Sequence, residues 1–278
     1  MEYKLNNRVA IRQCHDPIKS LGLFATEPIA KGSRALQEPA LIMHNTRGQA
    51  MTEAQDIIES LPMEHKNLVL KMYAGPSDVA PLLPVGHARD HIHPSSKRVE
   101  NIIRYNAFEG FRTGCMVCAA GAFMNHSCNP NSYLYWNDHA QCVTIQALRP
   151  IARDEELTFN YIGDQSIYLT TSKQGQRLQV TDYHRRLLPG LDGPDRTIRS
   201  EDHDEAMGLL YEIAELIGEE GQHNLELALT RVEQAHLQQR LGDYYGHREK
   251  LRGALVIRQL CPGADHPSCD ALVLEMHN

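Results

Sequence analysis

The spacing of hydrophobic residues changes along the chain, and each change predicts a different kind of element. Between residues 1 and 45 the apolar positions come in short blocks. Val9-Ala10-Ile11 and Leu23-Phe24-Ala25 are bounded by turn residues, and Lys31-Gly32-Ser33 separates them from a further apolar run from Leu36 to Met43. Short apolar runs between Gly, Ser and Asn predict β-strands. Over residues 52–73 the spacing becomes mostly helical, with Ile57, Ile58, Leu61, Leu68, Val69 and Met72 on the apolar side. Thr52 before Glu53 reads as a start signal, and Pro62 divides the run in two. Residues 74–98, rich in Pro, Gly, His and Ser, predict a loop.

Residues 99–162 are denser in signals. A helix is expected from Thr113 to Met124, running into Asn125-His126-Ser127-Cys128-Asn129-Pro130-Asn131. Tyr133–Trp136 and Cys142–Leu148 alternate like paired strands joined through Asn137-Asp138. Residues 163–200 scatter Gly, Pro and polar groups and read as a linker. From about residue 203 the pattern is helical throughout. Leu209, Leu210, Ile213, Leu216 and Ile217 form one stripe, Leu225, Leu229 and Val232 a second, and Tyr244, Leu251, Leu255 and Val256 a third. Gly218, Gly221 and Gly242 punctuate these three helices, and no clean repeat period joins them. The chain is therefore expected to be α+β, a β part with a helical insertion at about 46–100, followed by a small helical region.

Composition narrows the class of function. With 278 residues the chain can bury a full core as one or two domains. A hydrophobic share of 42% and a charged share of 23% are those of an ordinary globular protein. A net charge of −7 and a pI near 6.1 argue against a direct nucleic-acid binder, and the Arg185-Arg186 pair is too small to change that. No apolar run approaches a membrane span, and the start MEYKLNNRVAIRQ lacks the basic-then-apolar order of a signal peptide. Seven cysteines at positions without framework spacing predict free thiols in a reducing compartment, the cytosol or the nucleus.

The Asn-His-Ser-Cys-Asn-Pro-Asn stretch admits three chemical readings. His126 and Cys128 are too close in a Pro-containing turn to form a nucleophile–base pair. Cys115 and Cys118 with His126 and Cys128 could suggest zinc, but the first pair sits in an apolar run where buried free thiols are the expected outcome. The third reading is a tight loop whose Asn side chain and backbone amides meet a polar ligand, and it asks least of the sequence. No metal site is expected.

Taken together, NHSCNPN (125–131) resembles the NHSC-x-PN motif of SET-domain lysine methyltransferases, and EELTFNY (155–161) resembles that family's EELT-x-x-Y. Upstream, Ser20-Leu21-Gly22-Leu23-Phe24-Ala25 is similar to the family's G-x-G-L-x-A strand pair, with Ser20 in place of the first Gly. Asn101–Phe108 is similar to the segment that closes the helical insertion in the SMYD-like branch, although the insertion carries no MYND zinc finger. The resemblance, which is to small fungal-type SET proteins with a helical tail, covers about 150 residues. It implies a SET-domain β-fold over residues 1–165, a degenerate linker over 166–200, and a tetratricopeptide-like (TPR-like) helical region over 201–278.

The same resemblance implies S-adenosyl-L-methionine as cofactor and methyl transfer to a lysine amine on a protein substrate. Tyr161 matches the catalytic tyrosine. Gly22, Leu23, Asn106, Asn125, His126, Tyr161, Tyr183 and Arg185 fall on the cofactor side. In many relatives the segment after the tyrosine carries cysteines that bind zinc and close the active site. Here Tyr183-His184-Arg185-Arg186 stands there without a cysteine, and Arg185 replaces an aromatic over the adenine. That departure leaves two further readings open, a small-molecule acceptor and a non-catalytic binding module. Sequence gives neither the acceptor nor the oligomeric state.

Overall fold

The computed structural model describes residues 2–4, 6–14, 21–75, 96–110, 114–127, 129–137, 140–161, 200–219 and 225–277. It divides into two compact units, Met1–Phe159 and Asn160–Asn278.

Three small sheets make up the first unit. One runs in the order β1 (Glu2–Lys4), β2 (Val9–Gln13), β3 (Leu21–Ala25), β11 (Glu156–Phe159) and β8 (Asn125–His126). The second places β10 (Cys142–Ala147) between β4 (Arg34–Glu38) and β9 (Ser132–Asn137), and the third places β7 (Gly114–Val117) between β5 (Ile42–His44) and β6 (Phe108–Gly110). All six residues of β10 are buried, as a strand flanked on both sides requires. Its hairpin with β9 pairs Cys142 with Asn137 through to Ala147 with Ser132, in the place the alternating pattern predicts.

The insertion is helical. Helix α1 (Arg47–Thr52) starts at Thr46, whose hydroxyl accepts the Gln49 N–H, and α2 (Ala54–Ser60) follows directly. Pro62 ends that run, and α3 (Met63–Val69) begins after it. Helix α4 (Ser96–Asn106) buries Val99, Ile102, Ile103 and Asn106, the i, i+3, i+4, i+7 stripe of an amphipathic helix. Ile58, Met72, Ile102 and Ile103 share one continuous core with Leu23, Met116, Ile145 and Leu157, so helices and sheets are one folding body.

The helix expected from Thr113 to Met124 does not form as such. Gly114–Val117 is a strand, and only Ala119–Phe123 (α5) is helical. Met116 and Val117 pair with Met43 and Ile42 on one side, and Phe108 pairs with Met116 on the other, so sheet pairing overrides local periodicity. Gly114 makes the approach possible. Its φ of +68° suits glycine, and any Cβ there would collide with the His44 and Asn45 carbonyl oxygens.

Where β4 meets α5, the Ala120 N–H donates to Glu38 Oε1 at 2.6 Å. Burial pushes the Glu38 carboxyl up to about 7, against the lowering effect of that hydrogen bond. The neighbouring Cys118 thiol is also pushed well up, by burial first and then by the charges of Glu38 and Cys142.

The second unit is helical among its described residues. Helix α6 (Ser200–Glu219) packs on α7 (Leu225–Arg240), and α7 on α8 (Tyr244–Arg258). Asp243 caps α8 by accepting the Gly246 N–H at 2.8 Å, and buried His247 bonds the Ala235 carbonyl at 2.9 Å. A π-helical turn, Gln259–Gly263, leads into α9 (Pro267–His277). That last helix adds a fourth to the three expected. Pro267 opens it, where a missing N–H costs nothing. The second and third stripes are not the buried faces: Leu229, Tyr244 and Val256 are exposed, while Leu227, Ala228, Ala235 and Leu237, and His247, Leu251, Ala254 and Ile257, are buried. Among the described residues no helix is long and apolar enough to cross a membrane.

Since the folded carboxyl of Glu38 has the higher pKa, the folded state holds the proton more tightly. Stability should therefore be greatest below the ordinary carboxylate range and fall as pH rises from about 4.5 to about 7. Glu38→Gln keeps an acceptor for Ala120 and removes the charge. It should flatten the pH dependence and gain up to about 3 kcal/mol over the parent at pH 8. Urea denaturation at pH 5 and pH 8 checks this, and equal losses in both proteins would refute it.

Candidate functional site

The two motif segments meet in the structure. β8 and β11 run parallel, with Thr158 opposite Asn125 and Phe159 opposite His126. The Ser127 N–H then donates to the Phe159 carbonyl at 3.1 Å. Parallel strands need a crossover, and here it carries the β9–β10 hairpin of another sheet. Asn131, almost wholly buried, fastens the return. Its Nδ2 donates to the Glu156 carbonyl at 2.8 Å and to Glu155 Oε1 at 3.0 Å, while its Oδ1 accepts the Thr158 N–H at 2.9 Å.

Glu155 stays on that structural side. Burial raises its carboxyl, but bonds from the Ala152 N–H, Asn131 and Arg149 outweigh burial and hold it below the ordinary range. Glu156 does something else. Its Oε1 lies 2.6 Å from Asn125 Nδ2, which also reaches the Leu21 carbonyl at 3.1 Å and Cys14 Sγ at 3.4 Å. The Cys14 thiol points its hydrogen at the same Oε1 across 3.7 Å. These groups close over Gly22. A Cβ at position 22 would sit 2.7 Å from Glu156 Oε1 and 2.8 Å from Cys14 Sγ, so only glycine fits without rearrangement.

Gly22 and Asn125 are thus brought together with a carboxylate and a thiol, while His126 is half-buried on the adjoining residue of β8. Leu23, the next residue of β3, is fully buried in the core, between Ile11 of β2 and Leu157 of β11. Asn106 is the last residue of α4. Its amide nitrogen donates to the Tyr73 and Ile102 carbonyls, both at 2.7 Å. Tyr161 follows β11 in a turn of the second unit and is 57% exposed. Tyr183 and Arg185 lie outside the described residues, as do Ser20 and Cys128. Cys14, Cys115, Cys118, Cys142, Cys261 and Cys269 are buried, and among the described residues no group of three His, Cys, Asp or Glu side chains could hold a metal.

Sequence reasoning overlooked Cys14 and did not place Glu156 among the site residues. A charged residue first in a short strand, beside a Glu already committed to the loop, was the one local signal. The Cys14 contact spans most of the unit and leaves no local trace.

A carboxylate, a primary amide and a thiol thus meet over a glycine at the ends of adjacent strands and form a small polar cradle. Residues 20–162, just over half of the chain, match the family described as SET domain, and the chain belongs to that family. It is 26% identical over 147 residues to the Schizosaccharomyces pombe protein named Histone-lysine N-methyltransferase set5, covering 52% of this chain and 40% of that protein. The chain thus spans less than half the length of this relative. Among solved structures it is similar to the SET domain of LSMT bound to lysine and AdoHcy, with 12% identity, a TM-score of 0.35, and coverage of 92% of this chain and 78% of that one. It is also similar to ctPRC2 in an autoinhibited conformation bound to S-adenosylmethionine, with 14% identity, a TM-score of 0.32, and coverage of 97% and 32%.

Removing the Asn131 amide should loosen both motifs together. Asn131→Ala strands the Thr158 N–H and the Glu156 carbonyl, and is expected to cost about 2–4 kcal/mol in chemical denaturation. Asn131→Asp keeps the acceptor but sets a second carboxylate against Glu155, and should cost a comparable amount. A loss under about 0.5 kcal/mol in both would show that the amide does not fasten the loop.

Proposed function

We propose that this chain is an S-adenosyl-L-methionine-dependent methyltransferase whose acceptor is a lysine amine on a protein. The observation that carries this reading is the cradle of Asn125, Glu156 and Gly22 inside a SET domain. The cofactor's amino-acid end bears an ammonium and a carboxylate. A Glu156 carboxylate suits the first, and the Asn125 amide holds that carboxylate in place. Gly22 and Leu23 carry this side of the site on β3, where the missing Cβ of Gly22 leaves room beside Glu156. In this reading His126, Asn106, Tyr161, Tyr183 and Arg185 complete the cofactor side.

Bound there, the cofactor supplies a sulfonium-activated methyl group, so that an amine lone pair forms the new N–C bond as the S–C bond breaks and its electrons return to sulfur. The protein's own task is alignment and deprotonation. The amine must approach in line with the breaking bond, which positioning by Tyr161 would serve. It must also arrive neutral, and a site that excludes water lowers an ammonium pKa.

Within the family we place the chain in the SMYD-like branch, without a MYND finger and close to fungal SET proteins. Residues 1–165 form the SET domain, 166–200 a segment without zinc cysteines, and 201–278 a TPR-like helical region. A protein substrate, no direct nucleic-acid contact and residence in the cytoplasm or nucleus complete this reading. One observation favours a second reading. No cysteine occurs between Cys142 and Cys261, so the zinc cluster that closes related sites has no ligands here, and a wider opening would admit a small-molecule acceptor.

Calorimetry with S-adenosylmethionine tests the cofactor, and labelled cofactor tests the transfer. Asn125→Ala should weaken binding about tenfold or more. Tyr161→Phe should keep cofactor binding and lower transfer by about a hundredfold or more. Label in precipitated protein supports the lysine reading, and label confined to the soluble small-molecule fraction supports the second. Failure of the parent chain to bind cofactor would sink both.

A further inference from the structure

The helical unit holds a cavity that methyl transfer does not use. Its volume is about 270 Å³, and it is lined by Tyr211 and Ala214 of α6, Arg231 and Gln234 of α7, and Glu249 and Lys250 of α8. Two of these are cations without a carboxylate partner among the described residues. Lys250 Nζ stands 4.4 Å above the centre of the Tyr211 ring, which holds the ammonium in place without neutralising it. The Arg231 guanidinium lies against Gly253 of α8, where a Cβ would collide with it. The acid on the wall, Glu249, is committed to Arg252 at 2.8 Å.

Two cations on one cavity call for an anion, and the remaining wall narrows its kind. Gln234 is 1% exposed, and its Nε2 donates to the Leu210 carbonyl at 3.1 Å. The amide oxygen is then the group it can offer a ligand, and an oxygen selects a donor. A cavity of about 270 Å³ is more than a bare inorganic anion fills. We propose that this cavity binds an acidic residue of a peptide, its carboxylate bridging Arg231 and Lys250 and its backbone N–H donating to Gln234. The site is independent of the methyl-transfer reading.

Fluorescence anisotropy of the full chain with a labelled, acetylated Glu-Glu amide tests this, with a Gln-Gln amide as the neutral probe. The acidic probe should bind saturably and the neutral probe should not. Arg231→Gln and Lys250→Met should each weaken binding about tenfold or more, with Arg240→Gln as an unchanged control. Gly253→Ala gives a check free of folding defects, because alanine favours the helix while displacing the Arg231 guanidinium. It should keep or raise Tm and still weaken the probe. No saturable binding, equal binding of the neutral probe, or full binding by Arg231→Gln overturns the site. Displacement of the probe by an equal concentration of inorganic phosphate overturns its assignment to peptides.

Discussion

The side-chain amide of Asn131 is the constraint on which the first unit's site depends. A parallel pair as short as β8 and β11 has too few ladder bonds to hold itself, and the chain must leave and return between the two strands. Asn131 supplies a donor to one strand carbonyl and an acceptor to one strand N–H, so it acts as an extra rung of the sheet. Apolar packing at that point could not fix register, because it has no direction. An amide does.

That fixed register explains why two adjacent glutamates serve different ends. Successive side chains at a strand entrance point to opposite faces. Glu155 turns to the loop, where Asn131, Arg149 and the Ala152 N–H hold it ionised. Glu156 turns to Gly22, Asn125 and Cys14. A slip of one residue would exchange them, placing a carboxylate without partners in the loop and removing it from the cradle.

What could be read from the sequence was what local rules encode. The β9–β10 hairpin, the strands at Val9 and Leu23, the break at Pro62 and the helices after residue 203 all follow from alternation, turn residues and capping, although the face that the last of these bury does not, since Leu229, Tyr244 and Val256 are exposed. Gly22 and Asn125 were legible because a bare backbone edge and a turn-forming amide each have a local signature. The strand at Gly114–Val117 was not, since its apolar run fits either period and partners distant in the chain decided it. Cys14 was invisible for the same reason. Asn106 shows the reverse difficulty, for an asparagine beside a motif can have its amide nitrogen engaged by two carbonyls at a helix end. Tyr183 and Arg185 lie outside the described residues, so their place rests on resemblance alone.

The order of strands in the five-stranded sheet also sets a schedule for biosynthesis. β3 lies between β2, its neighbour in the chain, and β11, which is made only after well over a hundred further residues. At ordinary elongation rates of about 5–20 residues per second, the early hairpin waits several seconds on the ribosome with one edge bare. During that wait Gly22 faces neither Glu156 nor Asn125. The nascent chain must therefore guard an unpaired strand edge until residue 159 has emerged, and the cradle is among the last parts of the unit to close.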